Sequence, residues 1–259
     1  MPCKTMKSFE DTVDELRIGG FSLIQPKDGY RFSLDAPLLA ALTPLCGVTT
    51  LLDLGCGSGV LPLLFLGKRP DLQVTGIERM AQPFAYAEKN RRYNRVDFEL
   101  IFGDAMEAAK LLASRKFDLV VSNPPYYKIN SGRLPQNEVI AAAKAEVFWD
   151  PSLMMQQAFE LLRKDGRFSL IFDGRRGDEM VARAEAVGFI TEKRLDIFTK
   201  AGMRGANRVY LQFLKGNTAL RERDTLCMYD ENGEMTPKMK RIWNKYYGTG
   251  VVSCGDSHR

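Results

Sequence analysis

From Thr50 onward, short apolar runs alternate with longer amphipathic stretches. Runs at 50–54, 72–77, 97–102, 117–122 and 167–173 have the length of buried strands. The stretches at 58–68, 81–93, 105–113, 151–163 and 177–187 read as helices. This alternation predicts a parallel sheet covered by helices on both faces. The rhythm changes near the end, where Ile190–Ile197 and Arg208–Leu214 read as strands with no helix between them. Two strands joined in this way pair antiparallel, and we expect them at the sheet's edge. The expected fold class is therefore α/β, with a doubly wound, mostly parallel seven-stranded sheet and an antiparallel edge strand.

The flanks carry weaker patterns. Leu16–Ile18 and Phe21–Gln25 alternate around Gly19-Gly20 like a short hairpin. Pro37 suits the first turn of a helix, and Asp35 is placed to cap it. Residues 127–149 form a long Gly-, Pro- and Asn-containing stretch that turns alanine-rich, and a loop of that length beside a site is usually functional or disordered. After residue 215 the chain reads as a tail with a turn at Asn232-Gly233 and a basic helix near 237–246. The expected organisation is an N-terminal segment over 1–49 packed on the core, one α/β domain over 50–215, and a basic tail over 216–259.

Charge sharpens this picture. The net charge is +5, and residues 200–247 hold ten Lys/Arg against five Asp/Glu, so the first 199 residues are neutral. A basic C-terminal third points to a polyanionic partner, against the plainer reading of a solvated surface. The single histidine, His258, argues against His-based triads, histidine general bases and His metal sites. Five scattered cysteines without a CxxC pair argue against zinc and against a disulfide framework. No apolar run approaches the ~20 residues that span a bilayer, and the N-terminus lacks a secretory core. A cytoplasmic monomer without metal is the expectation.

Two turns carry candidate chemistry. The first strand ends in Asp53-Leu54-Gly55-Cys56-Gly57-Ser58-Gly59. Gly55 and Gly57 permit positive φ and close approach of a ligand to the backbone, and Gly59 permits tight packing at the helix start. The spacing is GxGxG, which differs from the GxGxxG that cradles a pyrophosphate. Glu78, at the end of the next strand, is placed to accept two ribose hydroxyls. Asp104, at the end of the third, can accept from an adenine amino group or merely cap the following helix. Asp53 can bind an amino group or satisfy the turn. The fourth strand ends in Asn123-Pro124-Pro125-Tyr126. In isolation that is a stiff turn with a surface tyrosine. Behind a glycine-rich turn, it is a grip for an exocyclic amine. Asn123 and the Pro124 carbonyl accept its two hydrogens, and Tyr126, with Tyr127, stacks on the flat group that bears it.

In this order and spacing, the chain resembles the Rossmann-like class I methyltransferases of the amino-methylating NPPY group. More closely, it resembles bacterial tRNA adenine-N6 methyltransferases that act beside the anticodon of a valine tRNA. The matching stretches are Phe32–Ala36, Asp53–Gly59, Asn123–Tyr126, Asn137-Glu138, Arg204–Arg208 and Met228–Glu234 with Thr236-Pro237. Relatives often carry an Arg-His-Glu run after the NPPY loop, where this chain has Ala143-Lys144-Ala145-Glu146. The resemblance implies S-adenosylmethionine as cofactor, held by Asp53, Gly55, Gly57, Gly59, Glu78 and Asp104. It implies Asn123, Pro124 and Tyr126 as catalytic residues. A tRNA partner would meet Tyr127, with Lys200, Arg204 and Arg208 holding phosphates. Phe32 and Asp35 are weaker candidates for closing over the cofactor. Alternatives are glutamine-N5 methylation of a release factor, methylation of rRNA or DNA, and a non-catalytic RNA-binding protein on a decayed fold.

Overall fold

The structure, a computed structural model, describes residues 11–27, 33–113, 115–124, 149–217 and 221–248. The chain begins with an antiparallel hairpin, β1 (Asp11–Glu15) and β2 (Ser22–Pro26). The second strand lies on the run the alternation predicts, but the first lies ahead of Leu16–Ile18, because Leu16 and Ile18 are buried in the core instead of pairing. Arg17 and Gly19, with φ of 56° and 59°, turn the chain between them.

The domain proper follows as α1 (Asp35–Leu42), β3 (Thr50–Leu54), α2 (Val60–Lys68), β4 (Gln73–Glu78), α3 (Ala81–Tyr93) and β5 (Glu99–Phe102). A single 3-10 turn at Ala105–Glu107 then leads to the short α4 (Ala108–Leu111). The helix expected over 105–113 is thus broken into two pieces. Next come β6 (Phe117–Ser122), α5 (Pro151–Leu161), β7 (Leu162–Asp173), α6 (Gly177–Val187), β8 (Ile190–Lys200) and β9 (Arg208–Leu214). The chain then adds β10 (Glu222–Tyr229) and α7 (Pro237–Tyr247).

The main sheet has eight strands in the order β10-β8-β9-β7-β6-β3-β4-β5. Two expectations change here. The antiparallel strand β9 lies inside the sheet, between β7 and β8, and not at its edge. The edge is formed by β10, which pairs parallel to β8 and brings the count from seven to eight. This strand was hidden because it reads Glu-Arg-Asp-Thr-Leu-Cys-Met-Tyr, with only Leu226 and Met228 buried.

Alternate side chains of each strand enter opposite layers. Leu51, Leu119, Val121, Ile171 and Tyr210 pack under α1, α2 and α7. Leu52, Val120, Leu170, Phe172 and Leu211 pack under α4, α5 and α6. The C-terminal helix α7 is fastened to α2 as well as to β10. The Lys68 ammonium donates to the carbonyls of Lys245 and Tyr246, both at 2.9 Å, which satisfies orphan acceptors at the helix end. The buried Tyr246 hydroxyl donates to Leu64 O at 3.0 Å.

Candidate active site

The chain winds β3, β4, β5 in one direction, then returns to lay β6 on the other side of β3. Ligands of open α/β sheets bind outside the carboxyl ends at such a reversal. The β3–β6 register ends at Asp53 opposite Val121. One residue further, the buried Ser122 hydroxyl donates to Leu54 O at 2.8 Å. The glycine-rich turn and Asn123 therefore leave adjacent strands at the same edge.

On one side lies a turn with an acidic floor. Gly55, Gly57 and Gly59 have φ of 80°, 57° and 83°. A Cβ at Gly55 or Gly57 would meet nothing within 4 Å, so the space over the turn is open. At Gly59 a Cβ would meet Phe98 and Ala87 at 3.3 and 3.4 Å, so glycine lets α3 approach the start of α2. The Glu78 carboxylate accepts from Gly57 N–H at 2.9 Å and from Met80 N–H at 2.7 Å, joining the turn to the start of α3. Burial pushes the Glu78 carboxyl up, while those amides and Arg79 pull it down.

Asp53 stands out electrostatically. Its relative exposure is 0%, and neither carboxylate oxygen has a hydrogen-bond partner among the described residues. Burial, and then the nearby charge of Glu78, push its carboxyl well above the ordinary range. A buried carboxylate of this kind is costly unless a cation or strong donor meets it. These carboxylate acceptors suit a small zwitterion whose primary ammonium and hydroxyls donate, and the methionine and ribose parts of S-adenosylmethionine fit them. Among the described residues no group of three or more His, Cys, Asp or Glu could hold a metal ion.

Asp104 caps the turn that follows it. One oxygen accepts from Met106 N–H at 2.9 Å and caps the 3-10 turn; the other meets Arg79 at 2.9 Å. Carboxylate lone pairs remain on it for an amino group.

On the other side of the reversal, Asn123 and Pro124 follow β6. Asn123 is half-buried and Pro124 is buried. Among the described residues nothing hydrogen-bonds the Asn123 amide. Tyr126, Tyr127 and the 143–146 stretch lie outside the described residues, as does Phe32. The β8–β9 connection reaches the same edge, because Gly174 N–H, just past β7, donates to Asn207 O at 3.2 Å. Lys200 and Arg204 are exposed on it. Arg208 has other partners. Its Nε donates to both oxygens of buried Asp35 at 3.0 and 3.1 Å, and its Nη1 to Asn207 O at 3.0 Å. Asp35 is thereby spent on an ion pair that fastens α1 to β9, and the helix has no side-chain cap. Reading the residues alone missed Ser122, which ties the two strand ends, and Arg79, which holds Asp104. Neither carries a sequence signal, since both contacts join separate strands.

Comparison with known proteins agrees with this geometry. The methyltransferase small domain family matches residues 36–178. The tRNA1(Val) (adenine(37)-N6)-methyltransferase of Dickeya chrysanthemi is 26% identical over 259 residues, covering 93% of this chain and 98% of its own length. The enzyme of the same name from Tolumonas auensis is 25% identical over 231 residues, covering 88% and 94%. A crystal structure of a predicted O-methyltransferase from Agrobacterium tumefaciens superposes with a TM-score of 0.63 at 21% identity, over 82% of this chain and 96% of that one. Likeness of that degree establishes the Rossmann-like class I fold. The family match runs from α1 into α6, over half the chain and across both turns, and the chain belongs to the methyltransferase small domain family.

Proposed function

We propose that this protein methylates N6 of an adenine in tRNA, next to the anticodon of a valine tRNA, with S-adenosylmethionine as donor. The carrying observation is the Ser122–Leu54 hydrogen bond, which brings Asn123 beside a glycine turn floored by Asp53, and among the described residues neither side chain has a hydrogen-bond partner. The names of the relatives support tRNA as the substrate.

When bound, S-adenosylmethionine supplies an electrophilic methyl group on a sulfonium. Asp53 holds the ammonium, the start of α2 faces the carboxylate with its helix dipole, Glu78 accepts the ribose hydroxyls and Asp104 the adenine amine. Asn123 and the Pro124 carbonyl accept the two hydrogens of the target amine. They thereby draw its lone pair out of conjugation and stabilise the charge that develops as nitrogen attacks. Tyr126 and Tyr127 stack on the target base, an interaction worth ~1–3 kcal/mol per base. That base must be unstacked or flipped to enter. Alignment is the main requirement of an in-line transfer, so no imidazole is needed. Arg208 acts through Asp35, leaving Lys200 and Arg204 as the phosphate contacts. Both halves of the site lie in one chain, so a monomer suffices, and a tRNA substrate places the reaction in the cytoplasm.

The test uses labelled S-adenosylmethionine and bulk tRNA from a strain lacking the gene, with products digested to nucleosides and weighed. N6-methyladenosine is expected. Label appearing in a release factor and not in RNA would replace the reading with glutamine-N5 methylation. Lys200→Ala and Arg204→Ala should each weaken tRNA binding. Each should also lower the log–log salt slope by about one, with S-adenosylhomocysteine affinity unchanged. An unaltered slope in the double variant would remove this loop from the RNA surface.

A further inference from the structure

The N-terminal hairpin is held by side chains that imitate a strand. At the C-cap of α3, Asn94 accepts from Ser22 N–H at 2.8 Å and donates to Ser22 O at 2.7 Å. One turn earlier, Asn90 accepts from Ile24 N–H at 2.6 Å and donates to Ile24 O at 2.9 Å. Four helical residues rise about 6 Å and two strand residues about 6.6 Å, so two carboxamides spaced i, i+4 match alternate peptides of β2. Tyr86 and Lys89, on the same helix, both bond Asp11 in β1.

Asn90 does one thing that Asn94 does not. Its second N–H donates to Ser58 O at 3.0 Å, inside the glycine-rich turn. The Ser58–Gly59 peptide is thereby held at both ends, since Gly59 N–H donates to Cys56 O at 2.9 Å. The preceding Gly57 N–H is held by Glu78. Asn90 has 0% exposure and spends both donors and its acceptor, so no water can substitute for it.

We propose that Asn90 is a positioning residue of the cofactor turn. It orients the Ser58–Gly59 peptide and makes the N-terminal hairpin a working part of the cofactor site. The proposal rests on the reading of that turn as the place where S-adenosylmethionine binds. Without the Asn90 carboxamide the turn samples more conformations, and ordering it again costs affinity.

The two asparagines form their own control. Calorimetry with S-adenosylhomocysteine on the full chain should show roughly tenfold weaker binding for Asn90→Ala, against no change for Asn94→Ala. In turnover, Asn90→Ala should raise KM for the cofactor and keep kcat at saturation. Equal weakening in both variants would make Asn90 a hairpin anchor only, and no weakening in Asn90→Ala would also overturn the proposal. Should Asn90→Ala fail to fold, the wild-type carboxamide signals serve instead. S-adenosylhomocysteine should move the Asn90 NMR resonance and leave that of Asn94, and an unmoved Asn90 signal would sink the idea. Absence of binding to the wild type would defeat the cofactor reading and not the positioning. Amide exchange at Gly57–Gly59 in the free protein then decides, with acceleration in Asn90→Ala alone in favour and equal rates against.

Discussion

Replacing Asn123 with alanine is expected to lower kcat by about two to three orders of magnitude, the usual effect of deleting one preorganised polar group from a charge-stabilising site. Affinity for S-adenosylhomocysteine should not change. Asp53, Glu78 and the glycine turn are on the β3 and β4 side of the reversal, and among the described residues no hydrogen bond joins them to Asn123. Folding should be spared too, because the end of β6 is held by Ser122 through Leu54 O, and no described residue uses the Asn123 amide. Asn123→Asp keeps an acceptor and should retain more activity than the alanine variant. Single-turnover rates with tRNA, together with calorimetry on the cofactor product, separate these effects. A fall in cofactor affinity in Asn123→Ala would mean that the acceptor turn lies elsewhere.

The second large effect belongs to Asp53, and its sign differs between the free and the bound protein. In the unfolded chain the carboxyl titrates near 3.8; in the folded chain burial and Glu78 raise it well above that value. The folded state therefore binds the proton more tightly. The stability linked to Asp53 is complete below the unfolded value and is lost as pH rises through the folded one. Cofactor-free Asp53→Asn should accordingly melt above the wild type at neutral pH, with the gap closing toward acid. Binding should move the other way. Losing a charge-assisted bond to an ammonium is worth about 1.5–3 kcal/mol, roughly a tenfold to hundredfold loss of S-adenosylhomocysteine affinity. Melting curves across pH, with and without S-adenosylhomocysteine, read both effects. A pH slope identical in the two proteins would show that Asp53 is not the group being neutralised.

The layered architecture was legible because it depends on local period. The α6 span 177–187 and the β9 span 208–214 coincide with the patterns that predicted them. The α2 start shifts from 58 to Val60 because Gly59 takes a left-handed φ of 83°. The glycine-rich turn was legible because glycine writes backbone geometry into the sequence. Partner choice was not. Asp104 had two readings, and Arg79, 25 residues away, takes one of its oxygens. Arg208 looked like a phosphate ligand until Asp35, 173 residues earlier, took its Nε. Strand β10 had no readable period, because its register comes from β8 and its cover from α7. Asn90, inside α3, was the clearest unread signal. Asn is a modest helix former, and its presence at a buried helical position implies fixed partners.

The fastening of α7 also governs how the protein is made. The Lys68–Lys245 and Leu64–Tyr246 contacts close loops of 177 and 182 residues. Such distant closures are slow to form. On the ribosome, α2 exists long before the helix that covers it, and its apolar flank waits until the far end of the domain has been synthesised. The nascent chain therefore passes through a stage with both sides of the candidate site translated but the part of the face that α7 covers still bare. At that stage the assembling protein is most exposed to aggregation and most in need of a chaperone.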